Sequence, residues 1–211
     1  MPSDGKGELP LIVSYYTEGT GYEREVLPLI ASCKRFGLES EIEGVPSRGR
    51  WDRNCAYKPR FLIEKAVRHK RALVWVDADA TFLRYPDLFR TLSCDMALRV
   101  HDALPVTHPS KVLTGTIYLA YTEAVLCVLD LWDRECRNML TSGLQEVWDQ
   151  VALKCALASG PEVAFATLPE SYCAIRDKST LAEEEVIISH RQASRLLKRV
   201  VDGEVIPFWL T

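Results

Sequence analysis

No stretch of this sequence is apolar for long enough to span a membrane, and its opening, Met1-Pro2-Ser3-Asp4-Gly5-Lys6, has no secretory apolar core. Cysteines occur, but no two form a C-x-x-C pair and their number, seven, is odd, which argues against a disulfide framework or a structural zinc site. Positive charge is not in surplus either. A formal net charge of -3 removes the global basic field that nucleic acid or an anionic membrane would need. Gly19 and Gly21 follow the first apolar run, yet Arg24 stands where a dinucleotide fingerprint requires its third glycine. Internal repeats, low-complexity tracts and linkers are missing as well. These absences predict a reduced, cytoplasmic, single domain over 1–211, with 1–8 as a flexible N-terminus.

What is present centres on Ala72-Leu73-Val74-Trp75-Val76-Asp77-Ala78-Asp79-Ala80-Thr81-Phe82. An apolar run without alternation is the pattern of a strand buried on both faces. In an extended segment residues i and i+2 point the same way, so Asp77 and Asp79 are expected to address one point beyond the strand end. Open α/β sheets bind ligands there. Two hard oxygen ligands suit Mg²⁺ or Mn²⁺, and such an ion neutralises phosphate. The competing interpretation makes both acids turn residues that close a core strand.

The remaining elements alternate in the manner of an α/β chain. Strands are expected over 9–16, 39–45, 95–101, 112–120, 163–168 and 186–188. A helix over 25–36 should bury Val26, Ile30 and Cys33, and 46–54 should be a polar loop. Pro59 fits the first turn of a helix that buries Phe61, Leu62, Ala66 and Val67. The segment 85–89 should open another helix. Thr122 is a fitting N-cap for a helix reaching about Asn138. Cys33, Cys127, Cys136 and Cys155 fall in helical patterns and read as small core residues. Ser189 and Gln192 have capping-box spacing, which would put His190 at the first position of a helix. The acidic run 183–185 should be a solvated face, and the apolar tail 205–210 should pack down.

The Asp77–Asp79 region resembles the D-x-D segment of GT-A-fold glycosyltransferases, where two acids hold a divalent cation against the diphosphate of a nucleotide sugar. Trp148-Asp149-Gln150-Val151-Ala152-Leu153 is a second resemblance, to the Asp-Gln pair that opens a helix in several GT-A families. The resemblance implies a single Rossmann-like α/β/α domain with a central, mostly parallel sheet. It also implies a metal, Mn²⁺ or Mg²⁺, held by Asp77, Asp79 and His190. Asp149 and Gln150 would face the anomeric carbon. Tyr15, Tyr16 and Thr17 would receive base and ribose; Lys58, Ala78, Thr114, Gly115, Thr116 and Arg191 would line the donor site, with Arg195 a further phosphate clamp. Asp-Gln with a C-terminal histidine is more like the retaining branch.

The implied activity is transfer of a hexose from UDP-glucose or UDP-galactose to an acceptor hydroxyl. The acceptor would be a small molecule or glycan, held in part by a partner subunit or second copy, since the chain has little room for an acceptor domain. The alternatives are a hydroxymethylated DNA base as acceptor, suggested by the local basic run from Arg48 to Arg71, a nucleotidyltransferase, and a non-catalytic sugar-nucleotide-binding protein.

Overall fold

The structure, a computed structural model, describes residues 8–143 and 148–203. The tail 205–210, the N-terminus 1–7 and the start of the 144–153 segment lie outside the described residues.

Strand β1 (Leu11–Thr17) leads through two short helices, α1 (Tyr22–Glu25) and α2 (Leu27–Phe36), into β2 (Ser40–Val45). Helices α3 (Trp51–Cys55) and α4 (Lys58–His69) precede β3 (Leu73–Val76) and β4 (Ala80–Phe82). Next come β5 (Met96–Val100), β6 (Val112–Leu119), α5 (Glu123–Thr141), α6 (Asp149–Ser159) and β7 (Phe165–Thr167). The chain closes with β8 (Ala174–Ile175), β9 (Ile188–His190) and α7 (Ser194–Val201).

Six strands form one sheet in the order β2-β1-β3-β6-β5-β7. β1 runs parallel to β2 and β3, and β5 runs parallel to β7, while β6 is antiparallel to both its neighbours. The sheet is thus mixed, with β6 the reversed strand. β3 is buried along its whole length, as the uninterrupted apolar run predicts. Leu73 and Trp75 pack toward α4, α5 and α6, whereas Val74 and Val76 pack toward α2, Phe82 and Ile188. This two-sided packing is the α/β/α layering.

Several local expectations are corrected. Pro28 stands in the first turn of α2, which matches the expected helix to within two residues, and a short helix not expected from the sequence, α1, precedes it. The buried face of α2 is Leu29, Ser32 and Cys33, leaving Ile30 exposed at 40%. In α4 Val67 is exposed while Lys65 is buried, because Glu41 and Glu43 on β2 meet its ammonium at 2.7 and 2.6 Å. The expected loop 46–54 contains α3, and 85–89 is a 3-10 turn. Cys33 and Cys136 are buried as expected, but Cys127 and Cys155 lie on outward helix faces. The Thr122 cap forms as read, its hydroxyl accepting from the Val125 N–H, and Glu183 to Glu185 are exposed.

A second, three-stranded sheet, β4-β9-β8, corrects the region around His190. β4 and β9 pair antiparallel with Ala80 opposite His190 and Thr81 opposite Ser189. His190 therefore ends a strand. Ser189 caps nothing, and Gln192 takes a left-handed φ of 54° before α7 begins at Ser194. A cross-strand ladder outcompetes a local capping box, which offers only one or two hydrogen bonds.

Candidate functional site

Beyond the carboxyl end of β3 the chain turns sharply, the Ala80 N–H bonding back to the Asp77 carbonyl at 3.0 Å. Asp77 and Asp79 thus converge through a turn rather than through strand alternation. The turn delivers the chain into β4, and β4 pairs with β9, so backbone pairing brings His190 to the acids. One ligand atom from each of Asp77, Asp79 and His190 lies within 4.8 Å of the others.

The carboxylate oxygens are divided between structural and open duties. Asp77 Oδ1 accepts from Trp75 Nε1 at 2.8 Å and lies 3.0 Å from Lys58 Nζ, which leaves Oδ2 on the His190 side. Asp79 Oδ2 accepts from the Ala193 N–H at 2.7 Å, leaving Oδ1 3.9 Å from His190 Nδ1. The other imidazole nitrogen, Nε2, is 2.9 Å from the hydroxyl of Thr116, which is fully buried. A partner on the remote nitrogen orients a ligating imidazole and fixes its tautomer.

Gly115 completes this pocket by what it lacks. A Cβ there would come to 3.0 Å from His190 Cε1 and 3.2 Å from Nδ1, so only glycine lets β6 pass this close to the ring. Two carboxylate oxygens and one imidazole nitrogen facing a space kept clear in this way fit a hard divalent cation of the Mn²⁺ or Mg²⁺ type. Burial alone would lower the His190 pKa, but the neighbouring Cys173 sulfur, Asp79 and Asp77 outweigh it and raise the ring to about 9. An entering cation must therefore displace a proton.

A second cluster adjoins the first. Lys58, only 5% exposed, lies 2.6 Å from Asp149 Oδ2 and donates to the Thr114 carbonyl at 3.2 Å. The Thr114 hydroxyl donates to the same Asp149 oxygen at 3.1 Å. Burial pushes the Lys58 pKa down, yet Asp149 and Asp77 more than reverse this and hold it well above the ordinary value. Its charge is permanent, and two carboxylates already share it.

Around both clusters runs a cleft of about 210 Å³. Of the residues expected from sequence, Tyr15, Tyr16, Thr17, Lys58, Asp77, Ala78, Asp79, Thr114, Gly115, Asp149, Gln150 and His190 line it. Tyr15 contributes little ring surface, since Tyr57, Phe61 and Trp75 enclose it with centroids 5.1–5.5 Å away. Its hydroxyl is bound to the Asn54 carbonyl at 2.6 Å. Gln150 Nε2 donates to the Pro109 carbonyl at 3.0 Å.

Thr116 and Arg191 are close to the site but not on its wall. Thr116 acts on His190, while Arg191 bonds the Asp79 carbonyl at 3.2 Å and pairs with Glu25 at 3.2 Å, tying the acid turn to α1. Arg195 pairs with Asp177 on the surface. His101 and Asp102 end β5 outside the cleft.

Sequence reasoning missed Tyr22, Trp51 and Gln192 as site residues, all on the cleft wall. Trp51 Nε1 donates to the Tyr22 hydroxyl at 3.1 Å, and the Trp51 N–H is held by Asp202 at 2.7 Å. The one signal for Trp51 was a lone tryptophan in a stretch of arginines, too short for periodicity to register.

No family model and no curated protein matches this sequence. Solved structures do match its fold. A glycosyltransferase involved in glycosylation of the major capsid of PBCV-1 aligns with a TM-score of 0.66 at 11% identity, covering 93% of this chain and 100% of that one. The glycosyltransferase GlyE of Streptococcus pneumoniae TIGR4 aligns at 0.58 and 11% identity, and its apo form at 0.59 and 12%. Each of those two alignments covers 97% of this chain but spans 62% of GlyE. The fold is thus one that glycosyltransferases use. Among the described residues no helix is long and apolar enough to cross a membrane.

Proposed function

We propose that this protein is a metal-dependent glycosyltransferase that moves a hexose from a nucleotide sugar, UDP-glucose or UDP-galactose, to an acceptor hydroxyl. The observation that carries the reading is the convergence of Asp77, Asp79 and His190 within 4.8 Å at the carboxyl end of the central strand. The glycosyltransferase fold adds to it.

Asp77, Asp79 and His190 are the residues that would hold Mn²⁺ or Mg²⁺. Such an ion supplies Lewis-acid stabilisation to a departing diphosphate. Tyr16 and Thr17, beside Tyr22 and Trp51, form the aromatic and hydroxyl-bearing end of the cleft, suited to base and ribose. Ala78 and Gly115 present little beyond backbone to the donor. Asp149 has one oxygen committed to Lys58 and Thr114, and its other oxygen, Oδ1, remains to hydrogen-bond a hydroxyl at the reacting centre. Lys58 pairs with Asp149 and anchors the Asp77 oxygen that faces away from His190. Gln150 follows on the same helix turn. The order of these motifs favours the retaining course; on an inverting course Asp149 is the base.

A glycan or small hydroxylated molecule is the acceptor class we favour over a DNA base. Much of the basic run is already neutralised: Arg50 by Asp52, Lys58 by Asp77 and Asp149, Lys65 and Arg68 by Glu41, and Arg71 by Glu39. A nucleotidyltransferase would need a glycine-rich basic loop after β1, which 17–21 does not supply.

The test is a screen of nucleotide sugars with and without Mn²⁺, reading donor hydrolysis and thermal stabilisation. Stabilisation and slow hydrolysis with one UDP-hexose, dependent on Mn²⁺, are expected. No response to any nucleotide sugar with either ion would overturn the reading.

A further inference from the structure

Behind α3 and the first turn of α4 the surface sinks into a second hollow of about 380 Å³, separate from the cleft just described. Arg48, Arg53, Tyr57 and Arg60 line one side, and Asp133 and Arg137 of α5 line the other. Four guanidinium groups meet there on a chain whose net charge is -3. Concentrating positive charge against the sign of the whole molecule is unfavourable unless an anion offsets it.

The arginines are partly pre-set. Arg48 sits over the Tyr57 ring, its guanidinium carbon 3.5 Å from the centroid; its Nη1 donates to the Pro46 carbonyl at 3.3 Å, and its backbone N–H is fixed to the Asn54 side chain at 2.7 Å. These contacts hold the group while leaving its other donors available. Arg60 uses only Nε on Glu64, at 3.0 Å, and Arg137 meets Asp133 at 3.0 Å. Each pair spans one helical turn; Arg60 and Glu64 are both exposed, while Asp133 is largely buried beneath the exposed Arg137. A guanidinium carries five N–H donors, so each keeps several for a ligand. Arg53 is exposed, and among the described residues its side chain has no hydrogen-bond or ion-pair partner.

We infer that this hollow is a second binding site, for a small ligand bearing a phosphate-type oxyanion. Guanidinium forks match the geometry of phosphate, sulfate and carboxylate, and charge-assisted pairs to them are strong. The hollow is open and small in extent, and Asp133 sits on its wall, so it suits one or two anionic groups on a small molecule rather than the many phosphates of a duplex. The site is independent of the cleft reaction proposed above. Arg53 of α3 and Ala56 just after it line the hollow, while Asn54 and Cys55 line the cleft.

Calorimetric titration of the full chain at low ionic strength, in buffer stripped of divalent metal on a chelating resin, tests this with inorganic phosphate, glucose 6-phosphate, glucose and a short DNA duplex. Phosphate and glucose 6-phosphate are expected to bind and glucose to fail. The pair Arg53→Ala and Arg137→Ala should weaken both anions by roughly tenfold or more, because two charge-assisted contacts are lost. Among the described residues Arg53 has no side-chain partner to lose and Arg137 loses only its pair with Asp133, so the variant should stay folded and keep its response to UDP with Mn²⁺. Anion binding that is absent, or unchanged in the double variant, overturns the inference. Duplex binding tighter than glucose 6-phosphate, with a steep salt slope, also overturns it in favour of nucleic acid. If wild type ignores UDP yet phosphate binding depends on Arg53 and Arg137, the glycosyltransferase reading fails and this one stands.

Discussion

Lys58 Nζ lies 2.6 Å from Asp149 Oδ2, with 6% and 12% of the two side chains exposed, so a buried ion pair joins the start of α4 to the start of α6. Asp77 is the third member of the group, 3.0 Å from the same ammonium. Removing the cation would leave carboxylate charge uncompensated in a dry setting. Lys58→Met should therefore cost roughly 3–5 kcal/mol of unfolding free energy. Adding Asp149→Asn should recover part of that loss, because the double variant no longer buries the stranded charge. Urea denaturation of the single and double variants measures both effects. A fully stable Lys58→Met protein would show that the pair is not a structural coupling.

His190 and Thr116 separate metal binding from packing. His190→Ala should weaken UDP binding in Mn²⁺ by at least about tenfold and leave the weak, metal-free binding unaltered, since a lost ligand acts only through the ion. Thr116→Val should give a smaller loss of the same kind, because the hydroxyl is 2.9 Å from Nε2 and orients the ring. Equal losses with and without Mn²⁺ would assign both residues to the core alone.

Gly115→Ala tests the clearance beside the ring. The new methyl would stand 3.0 Å from His190 Cε1 and 3.5 Å from Asp77 Oδ2. The imidazole must shift by a few tenths of an ångström, which should weaken the Mn²⁺-dependent affinity more than it lowers the melting temperature. Unaltered Mn²⁺ titration of this variant would mean that the three ligand atoms do not share one ion.

Away from the cleft, Glu41 should dominate a pH dependence of stability. Burial acts to raise its pKa, but contacts with Lys65, Glu43 and His69 together lower it to about 2. A depressed carboxylate stabilises the fold above its unfolded pKa and loses that contribution as pH falls through the folded one. Between about pH 4.5 and 2, wild type should thus lose stability more steeply than Glu41→Gln. Parallel curves in acid urea melts would contradict the assignment.

The sequence by itself determined the parts whose cause is local. The run Leu73–Val76 has no polar residue, so it can only be a strand covered on both faces, and that places Asp77 and Asp79 at its end. Pro59 in the first turn of α4 and Thr122 before α5 follow from missing or unpaired N–H groups at helix starts. The motifs around Asp77, Thr114 and Asp149 all contribute residues to the cleft wall.

Tertiary structure decided the rest, where distant partners compete with local preference. Ser189 and Gln192 carry a helix-capping pattern, but Ala80 and Thr81 offer a backbone ladder to the same segment, and the ladder makes His190 a strand residue. Arg191 reads as a phosphate ligand until Glu25, 166 positions earlier, is seen to hold it. Lys58 reads as a contact to the donor's phosphate or sugar until β3 and α6 close around it with two carboxylates. Periodicity reports which face of an element is apolar, not which charged group folds back to meet it. Ile30 and Val67 stayed in solvent for the same reason, because the core lay against other faces of their helices.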